Sequence, residues 1–198
     1  MKQIFDKIPD SSIEYVKGLI LSEKIIFKLK KSRKTKHGDF SVKKNGSLYI
    51  TINDDLNRYR FLITLIHELS HYYTFKNYGF HIKPHGKEWK NTFKKLLLPV
   101  INNDIFPNDI LKFLSNYAKN PKASTDTDFN LSFALNNYNT FRSKYVFDLD
   151  SGVVFIASNK RKYKLIKKLR KRYECIDMLN KKLYLFSPNA KVEKIINE

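Results

Sequence analysis

The sequence predicts an α+β fold, in which a small β-sheet and several helices are followed by a small basic β-rich module. Strand-like alternation from residue 24 to 52 precedes a long run of helical spacing between Phe61 and Phe75. From Tyr145 onward, short β-like runs are separated by a strongly basic segment. We therefore divide the chain into a first domain, a polar linker with a short helix, and a basic β-rich module, which are residues 1–118, 119–150 and 151–198.

The first domain begins with a helix and a strand. Apolar residues recur at helical spacing from Asp10 to Ser22, where Asp10, Ser11 or Ser12 is the candidate cap. The segment from Lys24 to Lys30 then alternates apolar residues with lysines. This alternation indicates a strand with one buried face.

A hairpin and a long helix follow. Asn45-Gly46 is a strong hairpin signal, and it pairs about Phe40–Lys43 with Leu48–Ile52. The helix that contains Phe61–Phe75 is expected to end at Tyr78, because Gly79 is the residue type found just past a helix end. Three more helices are predicted. The first starts near Trp89 and is bent or ended by Pro99. The other two span Asp109–Ala118 and Leu131–Tyr138.

The composition is that of a folded chain of 198 residues, 42% hydrophobic and 29% charged. Its longest apolar run, from Leu96 to Ile101, is too short to span a bilayer. The first ten residues lack the apolar core of a signal peptide. The lone Cys175 excludes an intrachain disulfide and suits a reducing compartment. We therefore expect a cytoplasmic protein without a membrane partner.

The chain carries a large excess of positive charge. Lys and Arg number 38 against 19 Asp and Glu, which gives a formal net charge of +19. An excess of this size favours a polyanionic partner, and nucleic acid is the commonest one. An acidic membrane surface is the weaker alternative, because the sequence has no lipidation motif and no convincing interfacial helix.

The long helix carries a metal-binding pattern. His67-Glu68-Leu69-Ser70-His71 has the form H-E-x-x-H. Residues four apart lie on one face of a helix, so both imidazoles can reach one ion. Glu68 is rotated by about 100° from His67, so it stands beside the ion, where a general base takes a proton from water. The alternative is a structural helix with two stacked histidines, but three ionisable groups in so apolar a helix are costly unless something pairs them.

A catalytic zinc ion usually takes three protein ligands, so one more ligand is needed. Thr74 and Asn77 stand where a metzincin requires glycine and histidine, which excludes that class. The remaining candidates are His85, Glu88 and His81. His85 is favoured over Glu88, because it stands in a Pro-His-Gly turn that leads directly into the next helix.

The paired motifs HELSH and HGKEW, the second of which opens a helix after a short loop, resemble those of the SprT-like metalloprotease family, which includes the Spartan proteases. The upstream RKTKHGDF and the strand that leads to ITINDDL are also similar to that family, and the likeness covers about residues 10–118. The resemblance implies a zincin-like fold with one zinc ion held by His67, His71 and His85. It also implies that Glu68 is the catalytic base.

The C-terminal module departs from the family pattern. Many SprT-like proteins carry a zinc ribbon with two Cys-x-x-Cys pairs around a basic stretch, and residues 162–186 are similar in layout. Met178 stands in place of the cysteine that would pair with Cys175, and residues 155–158 offer none, so we expect no structural zinc. We predict a metal-free, ribbon-like β module, with an unrelated small β fold as the alternative. Its predicted core residues are Val153, Phe155, Tyr173, Leu183, Leu185 and Phe186.

Residues 160–172 contain nine Lys or Arg residues. Periodicity alone leaves open whether this segment is a helix or a bent β-ribbon. Tyr163 and Tyr173 accompany the cations, a combination that suits a strand whose phosphates are neutralised while its exposed bases stack. The alternative is a solvated basic face with both tyrosines in the core. The predicted nucleic-acid-binding residues are Lys160, Arg161, Lys162, Lys164, Lys167, Lys168, Arg170, Lys171 and Arg172.

Together these features predict a zinc-dependent endopeptidase that acts on DNA-associated or DNA-crosslinked proteins. The alternatives are a nonproteolytic zinc-containing nucleic-acid-binding protein and a metal-dependent hydrolase of another amide. An extended substrate is expected to pair with the strand Leu48–Ile52, as peptides do with edge strands. The candidates for stabilising an oxyanion, among which the sequence does not choose, are Tyr72, Tyr73, His81 and Lys83.

Overall fold

The computed structural model describes residues 2–33, 35–140 and 144–196. It contains helices together with small β-sheets, which confirms the predicted α+β class. The chain forms two compact units, Met1–Asn139 and Thr140–Glu198. Each unit has its own hydrophobic core.

The first unit contains a three-stranded sheet made of β1 (Ile25–Lys30), β2 (Gly38–Val42) and β3 (Leu48–Asn53). β3 lies in the middle, parallel to β1 and antiparallel to β2. The predicted hairpin therefore joins β2 to β3, and Gly46 adopts a φ of 79° in its turn, a conformation that favours glycine.

The position of β3 corrects one expectation about the substrate. A strand that receives an extended peptide must have a free edge. Because β3 has a neighbour on each side, the prediction that a substrate pairs with Leu48–Ile52 is wrong. The edge strand on that side of the sheet is β2.

The central element of the first unit is α3, which spans Arg58–Tyr78. Asn57 caps its first turn by accepting a hydrogen bond from the Arg60 N–H at 3.0 Å. Gly79 ends it with a φ of 70°, as predicted. The seven consecutive residues 60–66 are all buried, so this part of the helix is surrounded on every side. It contacts β2, β3 and α4, which spans Lys87–Leu97.

The remaining helices are α1 (Lys2–Phe5), α2 (Ile13–Ile20), α5 (Asn108–Lys119) and α6 (Phe129–Asn136). Ser12, one of the three candidate caps, is the N-cap residue of α2, but its side chain makes no capping hydrogen bond and its hydroxyl instead donates to Pro9 O at 2.6 Å. α4 passes into a 3₁₀ turn that contains Pro99. Among the residues that the structure describes, no helix has the length and apolar character needed to cross a membrane.

The first unit extends further along the chain than predicted. Residues 119–139, which the sequence analysis assigned to a linker, belong to this unit, and α6 packs on α5 through buried leucines. The guanidinium of Arg60 in α3 donates to Ser132 O at 3.2 Å and to Asn136 Oδ1 at 3.0 Å. The segment is polar because its polar groups pair with a buried cation, and a sequence reading cannot distinguish this from exposure to solvent.

The second unit is a six-stranded sheet in the order β4-β9-β5-β6-β7-β8, and all its ladders are antiparallel. The basic segment that the sequence left open as helix or ribbon forms β6 and the turn to β7. Its core includes Cys175, and burial raises the pKa of this thiol to about 12, as for a packing residue. The strands are β4 (Lys144–Tyr145), β5 (Val154–Ala157), β6 (Lys162–Lys168), β7 (Tyr173–Asp177), β8 (Leu183–Phe186) and β9 (Lys191–Ile196).

Two of the residues that were predicted for the core of the second unit do not belong to it. Leu183 and Leu185 are 61% and 58% exposed, because β8 turns its other face inward. Tyr184 pairs with the buried Cys175 across the β7–β8 ladder, so Tyr184 and Phe186 pack on the core. The choice between the two faces of a strand depends on its register with the neighbouring strand. The other four predicted residues do contact this core, and they are Val153, Phe155, Tyr173 and Phe186.

Candidate metal centre

Three histidine side chains converge beside α3. The Nε2 atoms of His67 and His71 are 3.2 Å apart, and that of His85 lies 3.0 Å from His71 and 3.2 Å from His67. A tetrahedral ion with Zn–N bonds of about 2.0–2.1 Å holds its ligand atoms about 3.3 Å apart. The triangle therefore has the dimensions that one such ion requires. In the part of the chain that the structure describes, it is the one cluster of this kind.

Hydrogen bonds among the three rings cannot satisfy all three Nε2 atoms at once. A ring nitrogen either donates or accepts in the ring plane, so three Nε2 atoms in mutual contact leave at least one unfavourable pair. Burial, with the neighbouring histidines adding to it, lowers the pKa of His67 to about 2 and that of His71 to about 4. Burial also lowers the pKa of His85. Neutral imidazoles that share a common point are the donors that a divalent metal ion requires.

A strained turn presents His85 to the other two histidines. His85 has a φ of 57°, a left-handed conformation that is uncommon for a residue with a side chain. The Gly86 N–H donates to Lys83 O at 2.9 Å, and a Cβ on Gly86 would lie 2.8 Å from that oxygen. The tight turn therefore requires glycine after the histidine. Strain of this kind persists where the surroundings impose it, typically at functional sites.

Trp89 packs against all three histidines. It lies in the first turn of α4 and is 1% exposed. Its ring centroid lies 4.7 Å from that of His67, 5.3 Å from that of His71 and 4.7 Å from that of His85. Phe93 stacks on the indole at 5.0 Å. These contacts restrict the imidazole rings and cover one side of the site with apolar groups.

Glu68 lies next to the histidines and is 6% exposed. Burial raises the pKa of its carboxyl to about 8, with a contribution from Asp39, whereas a hydrogen bond from the Phe40 N–H opposes the shift. A cation at the histidines would favour the ionised form. At Gly38 an added Cβ would lie only 2.5 Å from Glu68 Oε1. The start of β2 therefore packs directly on this carboxylate.

A cleft of about 450 Å³ opens in front of the histidines and Glu68. Its walls come from residues 35–40, from one face of α3, from residues 84–85 and from residues 123–126. The last segment was predicted as a polar boundary. The structure instead places it in the wall of the cleft.

Asp126 joins this last wall to the rest of the site. Its carboxylate accepts hydrogen bonds from Arg60 at 2.5 Å and from His37 Nε2 at 2.7 Å. Burial raises the pKa of Asp126, but the hydrogen bond from His37 and the charge of Arg60 outweigh it and hold the pKa well below its usual range. Arg60 is 4% exposed, so this carboxylate compensates a buried charge. Asp126 thereby ties the loop before β2 to α3.

Several residues predicted from the sequence lie away from the cleft. The hydroxyl of Tyr72 donates to Glu23, and that of Tyr73 donates to Leu19 O at 2.7 Å. Glu88, the second candidate ligand, lies outside the histidine cluster. The four oxyanion candidates, none of which is among the described residues that line the cleft, are Tyr72, Tyr73, His81 and Lys83.

The sequence analysis missed three residues at the site, namely Gly38, Trp89 and Asp126. The first two carried weak signals, since a glycine before a strand and a tryptophan in an amphipathic helix are ordinary features. Arg60 offered the clearest signal for the third. An arginine at the start of a largely apolar helix requires a partner if it is buried, and acidic residues are the first candidates.

The nine predicted nucleic-acid-binding residues lie in the second unit, on β6 and the turns at its two ends. Tyr163 and Tyr173 are only 1% and 7% exposed. The expectation that these rings stack on bases is therefore wrong, and both tyrosines belong to the core. Three of the nine basic residues form ion pairs, which are Lys160–Glu193, Arg161–Asp177 and Lys167–Glu174.

Comparison with known families gives one match. The model of the SprT-like family matches residues 5–104, which is half of the chain. The matched region includes the sheet, α3 and all three histidines of the cluster. It ends before the cleft wall at residues 123–126 and before the second unit. Neither a search of curated proteins nor a search of solved structures finds a match.

Asp126→Asn is expected to destabilise the protein by about 2 kcal/mol near neutral pH, because the buried guanidinium of Arg60 loses its carboxylate partner. Folding lowers the pKa of Asp126. Its contribution is therefore complete above the unfolded value of about 3.9 and is lost as the pH falls through the folded value. Urea unfolding at several pH values measures both effects. The difference between the wild type and the variant is expected to shrink below about pH 4.

Asp55→Asn is the matched control for this experiment. Asp55 is exposed and makes no ion pair among the described residues. Its replacement is expected to change the free energy of unfolding by less than about 0.5 kcal/mol. Equal losses in the two variants would contradict the assigned role of Asp126, and so would a difference that does not change with pH.

Proposed function

Because the chain belongs to the SprT-like family, whose members are metalloprotease-like, we propose that it is a zinc-dependent endopeptidase with a zincin-like active site. His67, His71 and His85 hold the zinc ion, and Glu68 is the catalytic base. The substrates are proteins associated with DNA or crosslinked to it. The excess of positive charge in the chain supports this choice of substrate.

One observation carries the proposal. Three neutral imidazoles meet with Nε2 separations of 3.0–3.2 Å, and a buried carboxylate stands beside them at the wall of a cleft. A purely structural metal site would have no need for that carboxylate. The combination fits metal-assisted hydrolysis, in which one group binds the ion and another moves a proton.

The chemistry divides between the ion and Glu68. When bound, zinc supplies Lewis acidity, which polarises a peptide carbonyl and makes water nucleophilic near neutral pH. Glu68 takes a proton from the attacking water and then donates it to the nitrogen of the leaving amine. The Phe40 N–H fixes the carboxylate, and Gly38 leaves room for it. Apolar packing by Trp89 keeps the histidine rings oriented.

Apart from the Phe40 N–H, which binds Glu68, the outward backbone groups of β2 can pair with an extended substrate. The carbonyl of His37 and the amide of Lys43 point toward β3. Alternate residues of an antiparallel strand point the other way, so Gly38 and Phe40 direct their backbone groups away from the sheet. The Phe40 N–H does reach Glu68, which puts this edge along the cleft. A peptide paired with β2 would therefore pass in front of the histidines.

In this proposal the second unit carries the surface that binds DNA. Residues 160–172 contain nine Lys or Arg residues and no Asp or Glu. Cations that neutralise phosphates release counterions, which makes such a segment bind nucleic acid independently of sequence. Because the peptidase unit and the DNA-binding unit belong to one chain, binding to DNA would raise the effective concentration of DNA-bound substrates at the active site.

Glu68→Gln is expected to lower the rate of cleavage of casein or histone by at least about 10²-fold, because the general base is lost. Its zinc content is expected to remain at one ion per chain. His85→Ala is the companion variant, and it is expected to lose both zinc and cleavage. Metal analysis and gel-based cleavage rates on the same preparations measure these outcomes.

Two results would overturn this assignment. Cleavage by the Glu68 variant at the wild-type rate would show that Glu68 is not the base. Stoichiometric zinc without cleavage by the wild type would favour a nonproteolytic zinc-containing nucleic-acid-binding protein.

Gly38→Ala is expected to lower the cleavage rate at least about tenfold while zinc content is unchanged, because a shift of a catalytic group by about 1 Å is costly. The added Cβ would lie 2.5 Å from Glu68 Oε1 and 2.8 Å from Thr64 Cγ2. Gly18→Ala is the matched control, because a Cβ there meets nothing within 4 Å. A folded Gly38 variant with the wild-type rate would contradict the packing of β2 on the base.

Cleavage of a DNA-binding protein is expected to rise at least about tenfold when enzyme and substrate share one DNA molecule, because their effective concentration increases. The rates are measured with and without DNA at low ionic strength. Casein, which does not bind DNA, serves as the control substrate and should show no such gain. Equal rates for the DNA-binding protein in both conditions would refute the proposed substrate class.

A further inference from the structure

We propose that the tip of the β6–β7 hairpin, residues 167–172, binds double-stranded DNA through its phosphates. This inference rests on the DNA partner proposed for the second unit. It adds the form of nucleic acid that is recognised and the residues that recognise it. Single-stranded nucleic acid, which the sequence favoured because of the neighbouring tyrosines, is the form that the structure makes the poorer ligand.

The hairpin ends in a narrow, cationic turn. The ladder between β6 and β7 closes with the pair Lys168 and Tyr173, and a hydrogen bond of 2.7 Å from the Leu169 N–H to Arg172 O closes the turn. The base of the tip therefore adjoins the buried ring of Tyr173. The exposed cations that it presents are Lys167, Lys168, Arg170, Lys171 and Arg172.

Most of this charge is not compensated within the protein. Lys167 lies 3.6 Å from Glu174, a long contact between partly exposed groups, which neutralises little charge. The other four tip cations form no ion pair with any residue that the structure describes. By contrast, Arg161 at the opposite end of β6 lies 2.7 Å from the buried Asp177. Four unpaired cations therefore lie within the five residues 168–172 at the tip.

The hairpin offers no platform on which bases can stack. Stacking of single-stranded nucleic acid needs exposed aromatic rings. Tyr163 and Tyr173 face the core, and Ile166 is the exposed apolar residue of β6. Among the described residues of β6, β7 and β8, no exposed side chain is aromatic. The free energy of binding must then come from phosphate contacts, which are closest together on a duplex.

The shape of the tip also suits a duplex. The major groove of B-DNA is about 12 Å wide and admits a two-stranded β-ribbon. Phosphate rows border both sides of that groove, so lysines and arginines on a ribbon reach them together. Arginine is also drawn into narrow minor grooves. The deep, narrow major groove of A-form RNA excludes such a ribbon.

The test uses the full-length Glu68→Gln variant, which is expected not to digest itself. Its affinity is measured by fluorescence anisotropy for a mixed-sequence duplex of roughly two helical turns (~20 bp) and for one of its strands alone. Binding of the duplex is expected to be at least about tenfold tighter. The logarithm of the duplex affinity is expected to fall linearly with the logarithm of salt concentration, with a slope of about −3 to −5.

Removal of the tip charges identifies the site. Arg170→Ala, Lys171→Ala and Arg172→Ala combined are expected to weaken duplex binding at least about 100-fold at 0.1 M salt and to reduce the slope by about 2.7. The matched control combines Lys182→Ala, Lys191→Ala and Lys194→Ala. These three lysines are exposed and lie at the end of the sheet away from the tip, and their replacement removes the same charge. The control is expected to weaken binding less than about fivefold.

Each outcome separates this inference from the function on which it rests. If neither form of DNA binds, the proposed DNA partner is wrong, and this inference is wrong with it. If the single strand binds as tightly as the duplex or more tightly, the DNA partner stands and the preference for a duplex is wrong. If the tip and control variants lose equal affinity, the placement at the tip is wrong. Thermal unfolding of both variants verifies that they are folded.

Discussion

The first unit depends on the burial of polar groups in α3. Residues 60–66 are all buried, and the next turn carries two histidines and Glu68. A helix surrounded on every side cannot leave charged groups or ring nitrogens to water, so each must find a partner on another element. Asp126 compensates Arg60, the Phe40 amide binds Glu68, and a third histidine completes the cluster. The arrangement of β2, the start of α4 and residues 123–126 follows from these requirements.

The site therefore has two kinds of support. The three histidines, Glu68 and the edge strand β2 lie in the region that matches the SprT-like family. Asp126 lies beyond that region, yet it pairs with a buried arginine of the central helix and with the loop before β2. The same helix thus carries His67, Glu68 and His71 as well as Arg60, which anchors the cleft wall at residues 123–126. A change at either anchor residue would act on the cleft through the backbone of α3 or β2.

In the second unit, alternation along the strands separates packing from charge. β6 turns Tyr163 and Leu165 inward and leaves its lysines outside. The aromatic rings that resemble base-stacking groups in the sequence are buried in the core. The exposed surface of the hairpin is therefore basic without being aromatic. In the proposed DNA binding this distinction favours a duplex, because single strands need rings for stacking while duplexes need closely spaced cations.

The features that local geometry controls could be predicted from the amino-acid sequence alone. The period of 3.6 placed His67 and His71 on one face of a helix, Gly79 marked its end, and Asn45-Gly46 marked a hairpin. The paired motifs with His85 identified the family. The folded structure was needed to show that β3 is the central strand, that Gly38 packs on Glu68, and that Asp126 reaches Arg60 across 66 positions of the chain. It also decided that β8 turns its tyrosine rather than its leucines inward. The physical reason is that spacing within one element follows from its own backbone, whereas edge, register and ion-pair partners depend on which distant segments pack together.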